Sequence, residues 1–405
     1  SDKVVPSVRS EVGPLGAVMV HRPGDELARL TPSNMDELLF DELLWVEEAQ
    51  LEHDAFADLL RGEGVNVLYV EELLCEVLAD PVLREEIIVT NVDERSTGPV
   101  VLERVRDYLR SLSPHDLSQA LFAGVTVGEA SAREGLVATV TANHKMLLQP
   151  LPNAVFMRDS SAFVGEGVVL SPMSRVVRRR ETDLLRVVYA NHPTFAGVPV
   201  WFGRAPGLQH WPSTFEGGDI LVVGDRGIAV GMSERSTPAG VEALATTLFE
   251  SGVVDRVLAV DLPKARAAMH LDTIVTMVDV DTFITYPEMT RHLEAWCLDD
   301  LGGGKIKVSQ TKDLATGLAW AAGLDAVRAI EPDLSSTRAA REQWNDANNT
   351  LAISPGNVIA YERNVATNEI LREAGITVHT IPSYELPRGR GGPRCMSLPV
   401  QRAPL

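Results

Sequence analysis

The chain has 405 residues, nearly half of them apolar, and carries 56 acidic side chains against 37 basic ones, a formal charge of −19. That length suffices for one large core or two ordinary ones, and the negative balance argues against a nucleic-acid partner or an anionic membrane surface. Cys75, Cys297 and Cys395 are too scattered for a disulfide framework or a structural zinc site. No apolar run reaches the length of a membrane span, and the opening Ser1 to Pro6 lacks the basic start and apolar stretch of a signal peptide, so a cytoplasmic location is expected.

In chain order, Glu11 to Arg22, an amphipathic stretch from Trp45 to Arg61 and a strand from Asn66 to Val70 form a first strand and helix unit. Within it the loop Thr31 to Phe40, with Pro32, Ser33 and Asn34, is placed to close over a substrate as a lid. From Glu71 to Lys145 the chain is rich in Leu, Glu, Asp and Arg at helical spacing, with a capping segment at Ser113 to Asp116, and reads as an inserted module of several short helices. The expected organisation is an α/β body of residues 1–70 and 146–405 with a helical insertion at 71–145.

After the insertion, a polar residue four times precedes a strand, a tight turn and a second strand. These hairpins run from Asp159 to Pro172, Glu216 to Ser233, His270 to Tyr286 and Asn345 to Glu362, turning at Gly165–Gly167, Gly224–Gly227, Asp279–Asp281 and Ser354–Asn357. Helices are expected to open at Thr237-Pro238, over Ala239 to Ser251, and at Thr367 or Asn368, running toward Ala374. The aromatic stretch Trp201 to Ser213 carries no usable motif. A hairpin plus helix recurring about every sixty residues suggests radial or stacked repetition of one unit, which would bring the strand beginnings to one central place.

Chemistry concentrates at those beginnings. In the run from Arg388 to Pro399, Cys395 lies among three arginines and three glycines. Fixed positive charge favours the nucleophilic thiolate, glycines let the backbone turn closely around a small ligand, and arginines offer forked donors to a carboxylate. His270 precedes Asp272 by two residues, which on a strand points both to one face. Glu216, Asp219 and Asp159 add carboxylates. His21, His53, His144 and His292 have no comparable company and read as structural.

With these residues placed, the chain resembles the arginine deiminases and, more broadly, the guanidino-group-modifying enzymes. Pro150-Leu-Pro-Asn153 with Phe156 and Arg158-Asp159, Glu216-Gly-Gly-Asp219, His270-Leu-Asp272, Gly389-Arg390-Gly391 and Cys395-Met-Ser397 with Pro399 occur in the family's order over essentially the whole length. The resemblance implies an α/β fold, a five-bladed pseudosymmetric α/β propeller with an inserted α-helical bundle, and hydrolysis of L-arginine to L-citrulline and ammonia in the arginine dihydrolase route. It further implies Cys395 as nucleophile, His270 as general acid and base, Glu216 as the partner orienting His270, and Asp159 and Asp272 gripping the guanidinium. Asn153, Phe156, Arg178, Arg235, Gly389 and Arg390 are implied around the amino-acid head. No cofactor or metal is implied, and the expected partners are the substrate and further copies of the chain in a homodimer or higher homo-oligomer. Arg394 stands where some members carry histidine, and its charge is expected to lower the pKa of Cys395.

Three rival readings use the same residues. An amidinotransferase would pass the amidino group to an amine acceptor. A metal-dependent hydrolase would want more than the single histidine found near the carboxylates. A silent arginine-binding protein would not need the complete nucleophile, base and carboxylate set.

Overall fold

Apolar runs bounded by turn residues fold as hairpins in the computed structural model, which describes residues 4–142, 144–204 and 210–405. The opening tripeptide and residues 205–209 of the Trp201–Ser213 stretch lie outside the described residues. Ser161–Val164 pairs antiparallel with Gly167–Leu170, Ile220–Gly224 with Gly227–Met232, Val275–Asp279 with Thr282–Thr285, and Leu351–Ser354 with Asn357–Tyr361. Most residues of these strands are buried whichever face they take, so the sequence shows continuous apolar runs in place of strict alternation.

Each hairpin gains a third strand parallel to its second: Val200–Phe202, Arg256–Asp261, Arg328–Ile330 and Thr377–Ile381, in that order. A parallel neighbour needs a crossover, and helices Arg179–Asn191, Pro238–Glu250, Leu314–Ala322 and Val365–Glu373 lie in those connections. Thr237 caps the second of these by accepting from the Gly240 amide, with Pro238 at the first helical position. The fourth begins at Val365, before the expected Thr367 or Asn368. Those two side chains point sideways instead, Thr367 to Glu342 and Asn368 to the Tyr361 carbonyl.

The first unit is completed from the other end of the chain. Leu15–Val20 runs parallel to Asn66–Tyr69 across the helix Val46–Gly62 and antiparallel to the final strand, Leu398–Arg402, so that Met19 pairs with Leu398. Five sheets thus share one pattern, an antiparallel pair plus a parallel strand. The third is enlarged to five strands by an additional hairpin, Ala295–Asp300 with Ile306–Gln310.

Short helices occupy the region expected to be helical: Val70–Val77, Pro81–Asn91, Glu94–Thr97, Leu102–Ser111, Pro114–Ala123 and Gly135–Val140. Asp80 and Ser113 cap two of them ahead of Pro81 and Pro114. Their apolar faces, including Leu74, Ile88, Leu109 and Leu121, share one continuous core with Phe163, Val168 and Val188 of the neighbouring sheet and helix. Among the described residues no helix is long and apolar enough to cross a membrane.

Candidate active site

The residues that precede the first strands of the units meet through their backbones. The Arg158 amide donates to the Cys395 carbonyl (3.0 Å) and the Gly217 amide to the Asp159 carbonyl (2.8 Å). The Leu271 amide donates to Asp219 Oδ1 (2.8 Å), and the Cys395 amide to Asn349 Oδ1 (2.9 Å). Gly218 is dictated by space, since a Cβ there would stand 2.6 Å from His270 Nδ1 and 2.7 Å from Asp159 Oδ1. Gly391 is likewise pressed on Phe156, whose ring would lie 2.2 Å from an added Cβ.

His270 and Asp272 do not share a strand face. His270 is extended but opens a 3-10 turn over Leu271–Thr273, held by the Thr273 hydroxyl donating to the His270 carbonyl (2.6 Å), and the strand begins only at Val275. The two side chains therefore take different partners in the same cluster. His270 Nε2 lies 2.9 Å from Glu216 Oε2 and its Nδ1 3.5 Å from Asp159 Oδ1. Asp272 Oδ2 lies 3.6 Å from Cys395 Sγ and accepts from Arg394 Nη1 at 2.6 Å.

All six groups are buried, and burial disfavours every charge among them unless neighbours offset it. It would keep the His270 imidazole neutral, yet Asp159, the Glu216 hydrogen bond and Asp219 raise it to about 9. Glu216 moves down to about 2 because Arg235 and His270 outweigh its desolvation. Asp219 rises to about 6, burial exceeding the help of His270 and of the Ser233 and Ser236 hydroxyls, which donate to it at 2.6 Å.

The expectation that cationic surroundings would depress the Cys395 pKa is corrected. Burial, then Asp272, Asp159 and Asp346, push the thiol well above its ordinary value, and the opposing charge of Arg394 is the least of these influences. The reason is geometric. Arg394 turns its fork to Glu11 (3.0 and 3.1 Å) and to Asp272, so its charge is spent on carboxylates. Glu11 is itself fixed by the Val222 amide (3.1 Å).

A narrow cavity lies over the thiol, lined in part by Leu39, Asn153, Phe156, Arg235, Met269 and Arg390; Asp159, Arg178, His270, Gly389 and Cys395 also face it. The Thr31–Phe40 loop lies against this cavity through Leu39, and the Leu38 carbonyl accepts from Asn153 Nδ2 (2.7 Å). The three arginines are not equivalent. Arg178, in the turn before its helix and only 2% exposed, gives Nη1 to Asp159 Oδ2 (2.5 Å) and Nε and Nη2 to Glu181. Its charge is therefore already matched by two carboxylates. Arg235 also meets two carboxylates, Nε donating to Glu234 (3.0 Å) and Nη1 facing Glu216 Oε2 at 3.5 Å without a hydrogen bond, whereas Arg390 leaves Nε and Nη1 buried without a hydrogen-bond partner among the described residues. Arg390 adopts a left-handed φ of 66° and stacks 3.5 Å above the Trp344 ring.

The two aspartates show the complementary state. Asp159 and Asp272 each commit Oδ2 to an arginine, whereas Oδ1 of each is buried without a hydrogen-bond partner among the described residues. Asp159, Glu216 and His270 also offer ligand atoms within 4.8 Å of one another, the one such set found among the described residues that could hold a metal ion.

Of the expected site residues, Glu216, Asp219 and Asp272 alone do not line the cavity; Glu216 and Asp272 stand directly behind His270 and Cys395, and Asp219 holds the Leu271 amide. Sequence reasoning missed Asn349, which joins the Cys395 amide to the Asp272 carbonyl, as well as Glu11 and Asp346. Asn349 was open to discovery, since it precedes a first strand as the other site residues do. Glu11 carried no such mark.

Comparison with known proteins supplies the family. The arginine deiminase family model matches residues 36–402. Among solved structures the fold is similar to an amidinotransferase of the saxitoxin biosynthetic pathway from Microseira wollei, at 15% identity over 99% of this chain and 98% of that one, with a TM-score of 0.56. It is similar also to two dimethylarginine dimethylaminohydrolase structures. The adduct with S-methyl-L-thiocitrulline gives 16% identity, 95% and 99% coverage and a TM-score of 0.53. The adduct with 4-chloro-2-hydroxymethylpyridine gives 15% identity, the same coverage and a TM-score of 0.52. At such identities the likeness speaks for the fold, an α/β architecture shared by guanidino-group-modifying enzymes. The family match spans nearly the whole chain, and the chain accordingly belongs to the arginine deiminase family, hydrolases that act on a C–N bond of an amidine.

Proposed function

We propose that the protein hydrolyses L-arginine to L-citrulline and ammonia through an amidino (thiouronium) intermediate on Cys395. The observation that carries this reading is the pair of half-satisfied aspartates. Asp159 and Asp272 each hold one buried acceptor in reserve beside a thiol and an imidazole, which is what a flat, doubly donating guanidinium requires. Arg235 and Arg390, with spare buried donors, suit the α-carboxylate at the other end. Arg178 serves better as the anchor of Asp159 than as a carboxylate ligand, and Asn153, Phe156 and the Gly389 carbonyl complete the head of the site.

The raised thiol pKa gives substrate binding a chemical role. The guanidinium neutralises the carboxylates that, together with burial, hold the Cys395 proton in place, so the thiol gives that proton up to solvent when substrate arrives. The thiolate attacks the guanidinium carbon, and the bond to a terminal nitrogen breaks as the His270 imidazolium gives up its proton, releasing ammonia. Neutral His270 then takes a proton from water, which attacks the amidino carbon. The carbon–sulfur bond breaks; the sulfur, leaving as thiolate, takes the remaining hydroxyl proton of the urea to restore the thiol, and citrulline leaves. Glu216 stabilises and orients the imidazolium. A protonated imidazole is a poor metal ligand, so the same electrostatics favour acid–base work over metal binding at Asp159, Glu216 and His270.

The reading extends to architecture. The five sheets of one pattern are taken to close as a five-bladed propeller around the site, with residues 71–145 as the insertion and Thr31–Phe40 as the lid. Acid quenching during turnover followed by intact-mass and peptide spectrometry tests the chemistry: an amidino adduct on Cys395 is expected. Turnover without any adduct would remove the covalent route, and a new guanidino product formed when glycine is added would identify a transferase.

A further inference from the structure

The hairpin Ala295–Asp300 and Ile306–Gln310 ends its sheet, and among the described residues no strand pairs with the outer edge of Ile306–Gln310. Which backbone groups face outward follows from the hydrogen bonds at its two ends. The Thr311 amide donates to the Ala295 carbonyl and the Leu301 amide to the Lys305 carbonyl, both at 2.9 Å. Because an antiparallel ladder alternates, Lys305, Lys307, Ser309 and Thr311 turn their backbones toward the neighbouring strand. Ile306, Val308 and Gln310 turn theirs to the open edge, and this outward set is symmetric about Val308.

We infer that this edge is a self-association surface, on which a second copy of the chain pairs antiparallel with the register centred on Val308 to make one continuous ten-stranded sheet. Three observations favour a second copy as the occupant. The outward set matches itself under a two-fold axis: Val308 meets Val308, and Ile306 meets Gln310, so each outward donor finds an acceptor. The same register puts Lys307 opposite Ser309 and opposes no like charges directly, while Asp299 of the adjoining strand already faces Lys307. Finally, Lys305, Lys307 and Lys312 offset most of the acidic charge of Glu250, Glu294, Asp299, Asp300 and Asp313 beside this strand, so repulsion between two copies is reduced there in a chain of charge −19. Val308 and Leu301, 59% and 62% exposed, offer apolar area beside the paired edge.

The outward amide of Val308 provides a selective test. Proline at 308 removes a donor that the chain's own ladder does not use, and lysine at 308 keeps the donor but opposes two like charges across the axis. Sedimentation velocity of the full chain over a wide concentration range is expected to show a dimer. Val308→Pro and Val308→Lys are expected to weaken it by at least about a hundredfold with circular dichroism and melting temperature unchanged. A native protein that stays monomeric, or a dimer indifferent to both variants, overturns the inference. Should the proline variant fail to fold, Val308→Cys decides: hydrogen-bonded partners lie about 5.5 Å apart at Cα, within reach of a disulfide, so mild oxidation is expected to yield a covalent dimer linked through residue 308, and its absence overturns the assignment.

Discussion

The two ends of the cavity over Cys395 are opposite in sign and alike in design. At the reacting end Asp159 and Asp272 each satisfy one oxygen with an arginine and leave the other buried without a hydrogen bond, Asp159 Oδ1 facing the His270 ring at 3.5 Å. At the head end Arg390 leaves two buried donors without a hydrogen bond, and Arg235 Nη1 makes none although it faces Glu216 at 3.5 Å. Unpaired buried polar groups cost free energy in the empty protein, and here they are arranged so that a ligand with a cation at one end and a carboxylate at the other satisfies both. The difference lies in support. The reacting end is braced by paired groups, namely Arg178–Glu181, Arg394–Glu11 and Glu216–His270, whereas Arg390 stacks on the half-exposed Trp344 in a left-handed glycine-flanked turn.

The contrast is broken most severely at the reacting end. Asp159→Asn and Asp272→Asn keep shape but lose charge, and turnover of L-arginine is expected to fall by about three to four orders of magnitude; a fall below tenfold would mean that these carboxylates do not hold the guanidinium. Glu216→Gln acts through His270 and is expected to cost about 100-fold to 1,000-fold in kcat. It should also bring the alkaline limb of the pH–rate profile below the value of about 9 that Glu216 helps to sustain. At the head end, Arg390→Ala is expected to raise KM about 10-fold to 100-fold with little change in kcat, and an equal loss in kcat would place Arg390 in the transition state instead.

Smaller effects separate charge from shape. The His270 pKa is raised in the folded protein, so its stabilisation is complete below about 6.5 and is lost as pH rises through about 9. The Glu216 pKa is depressed, so its contribution is complete above about 4.5 and is lost as pH falls through about 2. Melting temperatures compared between the native protein and His270→Gln are therefore expected to differ most near pH 5.5 and to converge above pH 9. Asp346→Asn is expected to shift the alkylation limb of Cys395 to lower pH, since that carboxylate helps to hold the thiol proton.

Much of this plan was legible in the sequence wherever one residue type does one job. The four hairpins were readable because apolar runs meet turn residues at their ends, and Asp159, Glu216, His270, Asp272 and Cys395 because each stands shortly before a strand; Arg178 and Arg235, which follow second strands, were reached only through the family resemblance. What escaped depended on partners distant in sequence. Leu398–Arg402 could not be paired with Leu15–Val20 from local pattern. The Ala295–Gln310 hairpin hid behind Asp299, Asp300, Lys305 and Lys307, whose charges obscure the apolar run expected of a strand. Spacing alone favoured a shared strand face for His270 and Asp272, whereas the Thr273 hydroxyl holds a 3-10 turn there. The thiol pKa was misjudged for the same reason: three nearby arginines are visible in the sequence, but the burial of Cys395 and the carboxylates that surround it and claim Arg394 are not.

The most direct test of the central claim is the release of citrulline and ammonia from L-arginine by the purified protein with EDTA present, beside Cys395→Ala. Equal amounts of both products from the native protein and a loss of at least about four orders of magnitude in the variant are the predicted results. Products that persist in Cys395→Ala, or native turnover abolished by EDTA and restored by a divalent metal, would contradict the account.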